Sequence, residues 1–322
     1  MATNNAGEET SGRRRLLKSR REFLDIFAFG LLAVIAVIIT IPFFAIVFEV
    51  INQGWILLFS PIDPNGRFSP GWFILQIMEG FAGGGIRNAI VGSLELVVLA
   101  SVVAIPLCVG AAVYTTEYAQ RAGGRTKMWM RRFNKWVIRI VEFTADVLAG
   151  VPSIIFGAFG LIFFVQIFGR SLIAGALTLG LMMIPTILRT TQESLRAVPV
   201  NLREASLAVG ATTWSTSWRV VIRAAFAGII TGVLLAVGRV IGETAPLLFT
   251  TGFNFDNPWG LLDAVASLPF TIYLYALQGH TTEIRLRAYS AAIVLVIIVF
   301  VVDVVALWGS KKVGLVVRAG GV

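Results

Sequence analysis

The sequence predicts an all-α, polytopic membrane protein with six transmembrane helices. Three observations point there. Of 322 residues, 57% are hydrophobic and 14% charged, and the mean hydropathy is +0.82; a soluble domain of this size needs more polar surface. The apolar residues gather in six runs, at about 24–50, 88–117, 137–168, 171–195, 223–250 and 286–309. Each can cross a hydrocarbon core of ~30 Å as a helix, which takes ~20 residues. The net charge of +9 is carried in blocks between these runs, as in cytoplasmic loops. The basic blocks lack the aromatic interleaving of a nucleic-acid surface, so no nucleic-acid partner is expected. Strand alternation is absent, which disfavours a barrel.

Residues 1–22 read as a disordered, basic cytoplasmic tail, with Arg13, Arg14, Arg15, Lys18, Arg20 and Arg21. The apolar run that follows is too long for a signal peptide and has no small-residue cleavage site after it, so residues 23–50 read as a retained first span. Residues 51–87 form an external loop rich in Gly and Pro. Residues 88–309 form the core. Residues 310–322 form a cytoplasmic tail with Lys311, Lys312 and Arg318. Between the second and third runs stand Arg121, Arg125, Lys127, Arg131, Arg132, Lys135 and Arg139. Between the fourth and fifth stand Arg196, Arg203, Arg219 and Arg223. The other side carries fewer: Arg67, Arg87, Arg170, Arg285 and Arg287. The alternation places both termini in the cytoplasm. The third and fourth runs are parted only by Gly169–Arg170 and form a tight hairpin.

The second long external segment, 251–285, carries Phe253, Phe255, Trp259, Phe270, Tyr273 and Tyr275. These rings either mark the membrane interface or present a docking surface. The lone Cys108 reads as a small core residue. His280 stands alone in the external loop, and no His/Cys cluster is present to hold a metal.

Charged residues within spans are costly, about 2.5–3.5 kcal/mol each at the centre. Arg239 lies near the middle of the fifth run, with Glu243 at i+4 on the same helical face and Gly238 and Gly242 beside them. The pair either ties two helices together or forms a polar step on a substrate path. Arg189 follows Pro185 late in the fourth run and precedes Thr190, Thr191, Gln192 and Glu193. Glu95, Asp146 and Asp303 are further polar residues inside runs. After Asp146, Gly150 and Pro152 predict a kink or break, tolerated in a membrane only where freed backbone groups face protein or water. Two arginines on one cavity would suit a tetrahedral oxyanion.

The segment between the fourth and fifth runs reads as a short amphipathic helix at about 199–212. Pro199 begins it, Asn201 is placed to cap it with Glu204 three residues on, and Gly210 ends it. It is suited to rest on headgroups or to dock a partner. Glu204-Ala205-Ser206, with Gly210 four residues beyond, resembles the EAA motif of ABC importer permeases. The stretches Asp146–Gly157, Leu188–Thr191, Leu195–Pro199 and Gly238–Thr250, with Ala266–Pro269 before Ile272-Tyr273, resemble phosphate-importer permeases of the PstA rather than the PstC type. The resemblance covers about residues 80–310.

That resemblance implies a type I ABC importer permease fold and import of inorganic phosphate by alternating access. It implies a heterodimer with a PstC-like permease, a PstB-like ATPase dimer docked on Glu204, Ala205, Ser206 and Gly210, and a periplasmic or lipid-anchored phosphate-binding protein. It implies a phosphate path lined by Arg189 and Arg239, with Glu193 and Glu243 near them and the Gly150–Pro152 break beside it. ATP and Mg would be bound by the partner ATPase, and no cofactor by this chain, which has no Walker A sequence. Gln192 stands where the family often has Glu, and Ile222-Arg223 where it usually has Leu-Pro, which implies a straighter start to the fifth span. A permease for another oxyanion is the nearest alternative. A membrane enzyme would need a nucleophile or metal cluster, and a passive anion channel would have no use for the ATPase dock.

Overall fold

The computed structural model describes residues 5–63, 65–81, 83–118, 128–257 and 260–319. Pro64, Arg121, Arg125, Lys127 and Trp259 lie outside these. The chain divides into two compact units, Met1–Gln53 and Gly54–Val322.

The first unit is the bulk of helix α1, Asn5–Leu58, which passes through Pro42 without ending. The tail expected to be disordered over 1–22 is helical from Asn5. From Arg13 to Asp25 there is neither Gly nor Pro, and Leu, Lys, Arg and Glu predominate, so nothing stops the helix of the first span from extending backward. At its other end α1 runs eight residues past the expected boundary at 50.

The second unit holds the rest. Helix α2, Trp72–Leu75, and a hairpin of β1, Met78–Glu79, with β2, Gly83–Gly84, occupy the first loop. Gly84 has φ 59°, and a Cβ there would collide with the Ile77 carbonyl oxygen, so the hairpin closes only on glycine. Helix α3, Arg87–Val113, runs into a π-helical turn, Tyr114–Tyr118. Helices α4, Met128–Gly150, and α5, Ser153–Phe168, meet at 112°. Pro152 sits at that bend with φ −58° and ψ 143°, extended where the helix would continue. The expected break is therefore present. Gly169, at φ 70°, and Ser171, whose hydroxyl accepts from the Ala174 N–H at 3.3 Å, make the hairpin into α6, Leu172–Arg196.

Then follow α7, Val200–Ala208; α8, Thr213–Thr216; a second π-helical turn, Ser217–Val221; and α9, Ile222–Ile241. The run expected as one span over 223–250 is two helices. Gly242, Glu243 and Thr244 interrupt it, and α10, Ala245–Thr250, restarts with Pro246 in its first turn. Helix α11 covers Leu268–Leu277, and α12 covers Thr282–Ala319, taking in most of the expected tail over 310–322. Five of the described helices are long and apolar enough to cross a membrane, and six spans result if α4 and α5, bent by 112°, count together as one broken span.

Small residues set the packing. Gly175 lies against Leu96, and the Cys108 thiol reaches the Ile184 carbonyl at 3.8 Å, so α3 and α6 run side by side. Gly228 meets Ser194 and Gly232 meets Thr190, so α6 and α9 run antiparallel at close range. One hydrophobic cluster fills the bundle around Leu96, Met183, Ile187, Leu195 and Val240. A second gathers Trp72, Phe73, Ile86, Leu268 and Tyr275 at the end away from α7.

Candidate functional site

Helix α7 is built as a knob. Pro199 presets its start at φ −57°, but no side chain caps it, and Asn201 lies inside the first turn. The capping expected of Asn201 is thus displaced by Pro199, which takes the cap position and lacks only its own N–H. At the other end Gly210 adopts φ 84°, its N–H donates to Leu207 O at 3.0 Å, and the Ala211 N–H donates to Ser206 O at 3.2 Å. That is a Schellman ending, which only glycine forms without strain. Along α7, Val200, Glu204 and Leu207 share one face and are exposed, with Ala205 beside them and Val209 85% exposed beyond. The outer surface is therefore apolar around a single carboxylate. Ser206 points the other way, its hydroxyl 2.9 Å from that of Thr216.

The inner face of α7 is anchored by a buried ion pair. Arg203 Nη2 lies 2.8 Å and Nε 3.2 Å from Glu117 Oε1, with side chains 8% and 2% exposed. Arg203 also donates to the carbonyls of Leu195, at 2.6 Å, and Val198, at 2.5 Å. Next to it, buried Gln192 donates from Nε2 to Thr115 Oγ1 at 2.9 Å. Position 192 is thus a neutral link between α6 and the turn after α3. Glu117 was not among the site residues read from the sequence. Its cue was a carboxylate at the end of a span, yet its partner lies 86 residues away.

Arg189 pairs with Asp146 of α4, both side chains about half-exposed, and two turns further along Arg196 Nη2 lies 3.3 Å from Glu142 Oε1. Glu142 and Asp146 are i and i+4, and stitch α4 to α6 just before the bend. Glu193 is exposed. Arg239 stands in the last turn of α9, not at mid-helix, and Glu243 lies beyond the helix end at Gly242. The two therefore do not share a helical face; the turn at Gly242 carries Glu243 off the α9 cylinder. The antiparallel register of α6 and α9 sets Arg239 level with Met183, six residues or about 9 Å along the axis from Arg189. Among the described residues Arg239 has no hydrogen bond or ion pair, and it is exposed. Asp303 of α12 comes close to its neighbour: a Cβ at Gly238 would sit 2.6 Å from Asp303 Oδ1. Gly150 is exposed with open space around it.

At the opposite end, Arg287 is 1% exposed. It donates to the carbonyls of Gly84, at 2.7 Å, and Gly83, at 3.2 Å, and lies 5.6 Å from the Trp72 ring centroid. Burial pushes the Tyr275 phenol up, with the Arg287 charge pulling the other way. Phe81 stacks on Phe253 at 5.9 Å and meets Phe255 edge-on at 5.4 Å, and Phe253 meets Phe270 at 5.7 Å. Most of the aromatic residues read from the sequence as interface markers or a docking surface thus pack on one another. The two long loops close over each other and supply their own hydrophobic partners. Tyr273 stays 40% exposed.

A family model described as binding-protein-dependent transport system inner membrane component matches residues 123–314. The chain is 34% identical to the probable ABC transporter permease protein YqgI of Bacillus subtilis, over 78% of this chain and 87% of that one. It is 35% identical to the phosphate transport system permease protein PstA 1 of Mycobacterium tuberculosis, over 84% and 82%. It is 39% identical to the phosphate transport system permease protein PstA of Haemophilus influenzae, over 66% and 71%. Among solved structures, the MetNI methionine ABC transporter in an inward-facing conformation superposes with a TM-score of 0.54 at 20% identity, covering 71% of this chain and 97% of that one.

Proposed function

The chain belongs to the family of binding-protein-dependent transport system inner membrane components, and from that premise we propose that it is the permease subunit of an ATP-driven importer of inorganic phosphate. It is a multi-pass membrane protein and a transport subunit rather than an enzyme. The observation that carries the phosphate reading is the likeness to PstA permeases at 35% and 39% identity over most of the chain.

The geometry supports a division of labour. The α7 knob, with Glu204 at the centre of an exposed apolar face, is the dock for a PstB-like ATPase dimer, which binds ATP and Mg. Arg189 and Arg239 line the anion path, level with different turns of the same helix pair, so a phosphate moves between them within about two turns. Asp146 holds Arg189 until an oxyanion competes for it. A guanidinium gains more from a tetrahedral oxyanion that fills its fork than from one carboxylate oxygen. Glu243 and Glu193 keep the emptied path from excess positive charge. The bend at Gly150–Pro152 frees backbone groups beside this path. A PstC-like permease completes the pathway by alternating access, and a phosphate-binding protein delivers the anion to the end carrying Arg287. The Lys and Arg distribution supports a cytoplasmic position for both termini and α7, and the likeness to bacterial permeases supports a prokaryotic plasma membrane.

The test is uptake of labelled phosphate into vesicles holding the whole complex. Arg239→Gln abolishes uptake while the complex still assembles. Normal uptake in that variant overturns the anion path, and preference for sulfate or molybdate over phosphate in the wild type overturns the substrate.

A further inference from the structure

The Glu117–Arg203 pair is placed where a force on α7 must pass. Glu117 belongs to the π-helical turn that ends α3. Arg203 belongs to the inner face of α7 and also holds the carbonyls of Leu195 and Val198 at the end of α6. One guanidinium thus ties three elements together: the dock, the end of α3 and the end of α6. A π-helical turn is a local insertion in an α-helix that re-aims a side chain, and such turns gather at functional positions. Here it turns Glu117 inward, where it is 2% exposed. A further attachment of α7, to the segment leading into α9, is a hydroxyl pair, Ser206 with Thr216, at 2.9 Å. It is neutral, and weaker than a two-pronged charged contact in a desolvated site. A buried ion pair of this kind often contributes little net stability, because desolvating both charges offsets their attraction. What a charged fork adds is a single fixed geometry.

We propose that Glu117 and Arg203 are positioning residues for transport: a strut that makes α7 move as one body with α3 and α6, so that closure of the ATPase on α7 displaces the helices lining the path. This rests on the reading of the chain as an importer permease whose α7 seats on an ATPase. Ser206 and Thr216 are the compliant side, letting α9 shift relative to α7.

Two readouts on the full complex in vesicles test the strut. The first is phosphate taken up per ATP hydrolysed. Glu117→Gln keeps the shape and removes the charge, and Arg203→Lys keeps the charge and removes the fork. Both assemble, hydrolyse ATP, and lower that ratio about tenfold, the scale of one lost charge-assisted hydrogen bond. A wild-type ratio in both assembled variants overturns the proposal. If Glu117→Gln does not assemble, Glu117→Asp is measured instead. It keeps the charge but shortens the reach, and a lowered ratio supports the strut, whereas a wild-type ratio shows that the pair only holds the fold. The second readout is the distance between spin labels at Leu202→Cys, exposed on the side of α7 away from Glu204, and Val102→Cys in a Cys108→Ala background. It stays constant on adding ATP when the strut is intact and shifts with ATP in Arg203→Lys. A shift of equal size with the strut intact overturns the proposal. If the wild type takes up no phosphate, the proposed substrate fails, while the label distance needs only ATP and still decides the strut.

Discussion

Arg287 shows how one side chain closes a surface. It is buried, yet its charge is met by two glycine carbonyls, by Glu283 at 3.5 Å and by the face of Trp72. An arginine suits this place because its planar fork reaches two neighbouring carbonyls at once, which a lysine does not. Substituting Met keeps an unbranched apolar stem and removes every donor. Each orphaned carbonyl then costs about 1–3 kcal/mol. The expected result for Arg287→Met is a lower melting temperature of the purified complex and faster proteolysis within 59–86, with the bundle helices still protected. Unchanged proteolysis would show that the loop holds itself. Read from the sequence alone, Arg287 was one positive charge on the sparse side of the membrane. Only Glu283, four residues back, is a local partner; the two carbonyls lie 203 and 204 residues away, and nothing in the sequence marks them.

At the scale of the element, glycine and proline were the most readable signals. Gly150 and Pro152 announced the break between α4 and α5, and Gly210 announced the end of α7. Both are backbone effects, written in single residues. Gly210→Ala tests the second. Open space surrounds the position, so the cost is the left-handed backbone alone, about 1–2 kcal/mol. The expected outcome is faster amide exchange across Val200–Ala208 and a partial fall in uptake, with assembly retained. Exchange equal to wild type would mean that the Arg203 contacts alone hold α7. The same kind of signal was present at Gly242 and Pro246 but was outweighed by the apolar residues on either side, so α9 and α10 read as one span. Hydropathy counts side chains and does not see a turn whose flanks are both apolar. The consequence fell on the site: Arg239 moved from mid-helix to a helix end, and Glu243 left its face.

For the whole molecule, the distribution of Lys and Arg predicts sidedness. In right-side-out vesicles, with Cys108 replaced by Ala, a cysteine at Leu262 is labelled by a membrane-impermeant maleimide. One at Met128 is labelled only after lysis. Both side chains are well exposed in the isolated chain, at 63% and 72%, so the membrane decides access; the reverse pattern would invert the topology. The sequence by itself determined the class of protein, the apolar runs, the hairpin at Gly169 and a short helix within about 199–212. Each is a property of neighbouring residues, because a ~20-residue helix buries its own backbone groups within itself. Only the tertiary structure decided which charges meet. Glu117 with Arg203, Asp146 with Arg189, and Arg287 with the Gly83–Gly84 hairpin are brought together by packing of helices distant in sequence. In a low-dielectric interior the partners of Glu117, Arg203 and Arg287 set the cost of burying those charges, and so they set what each is free to do.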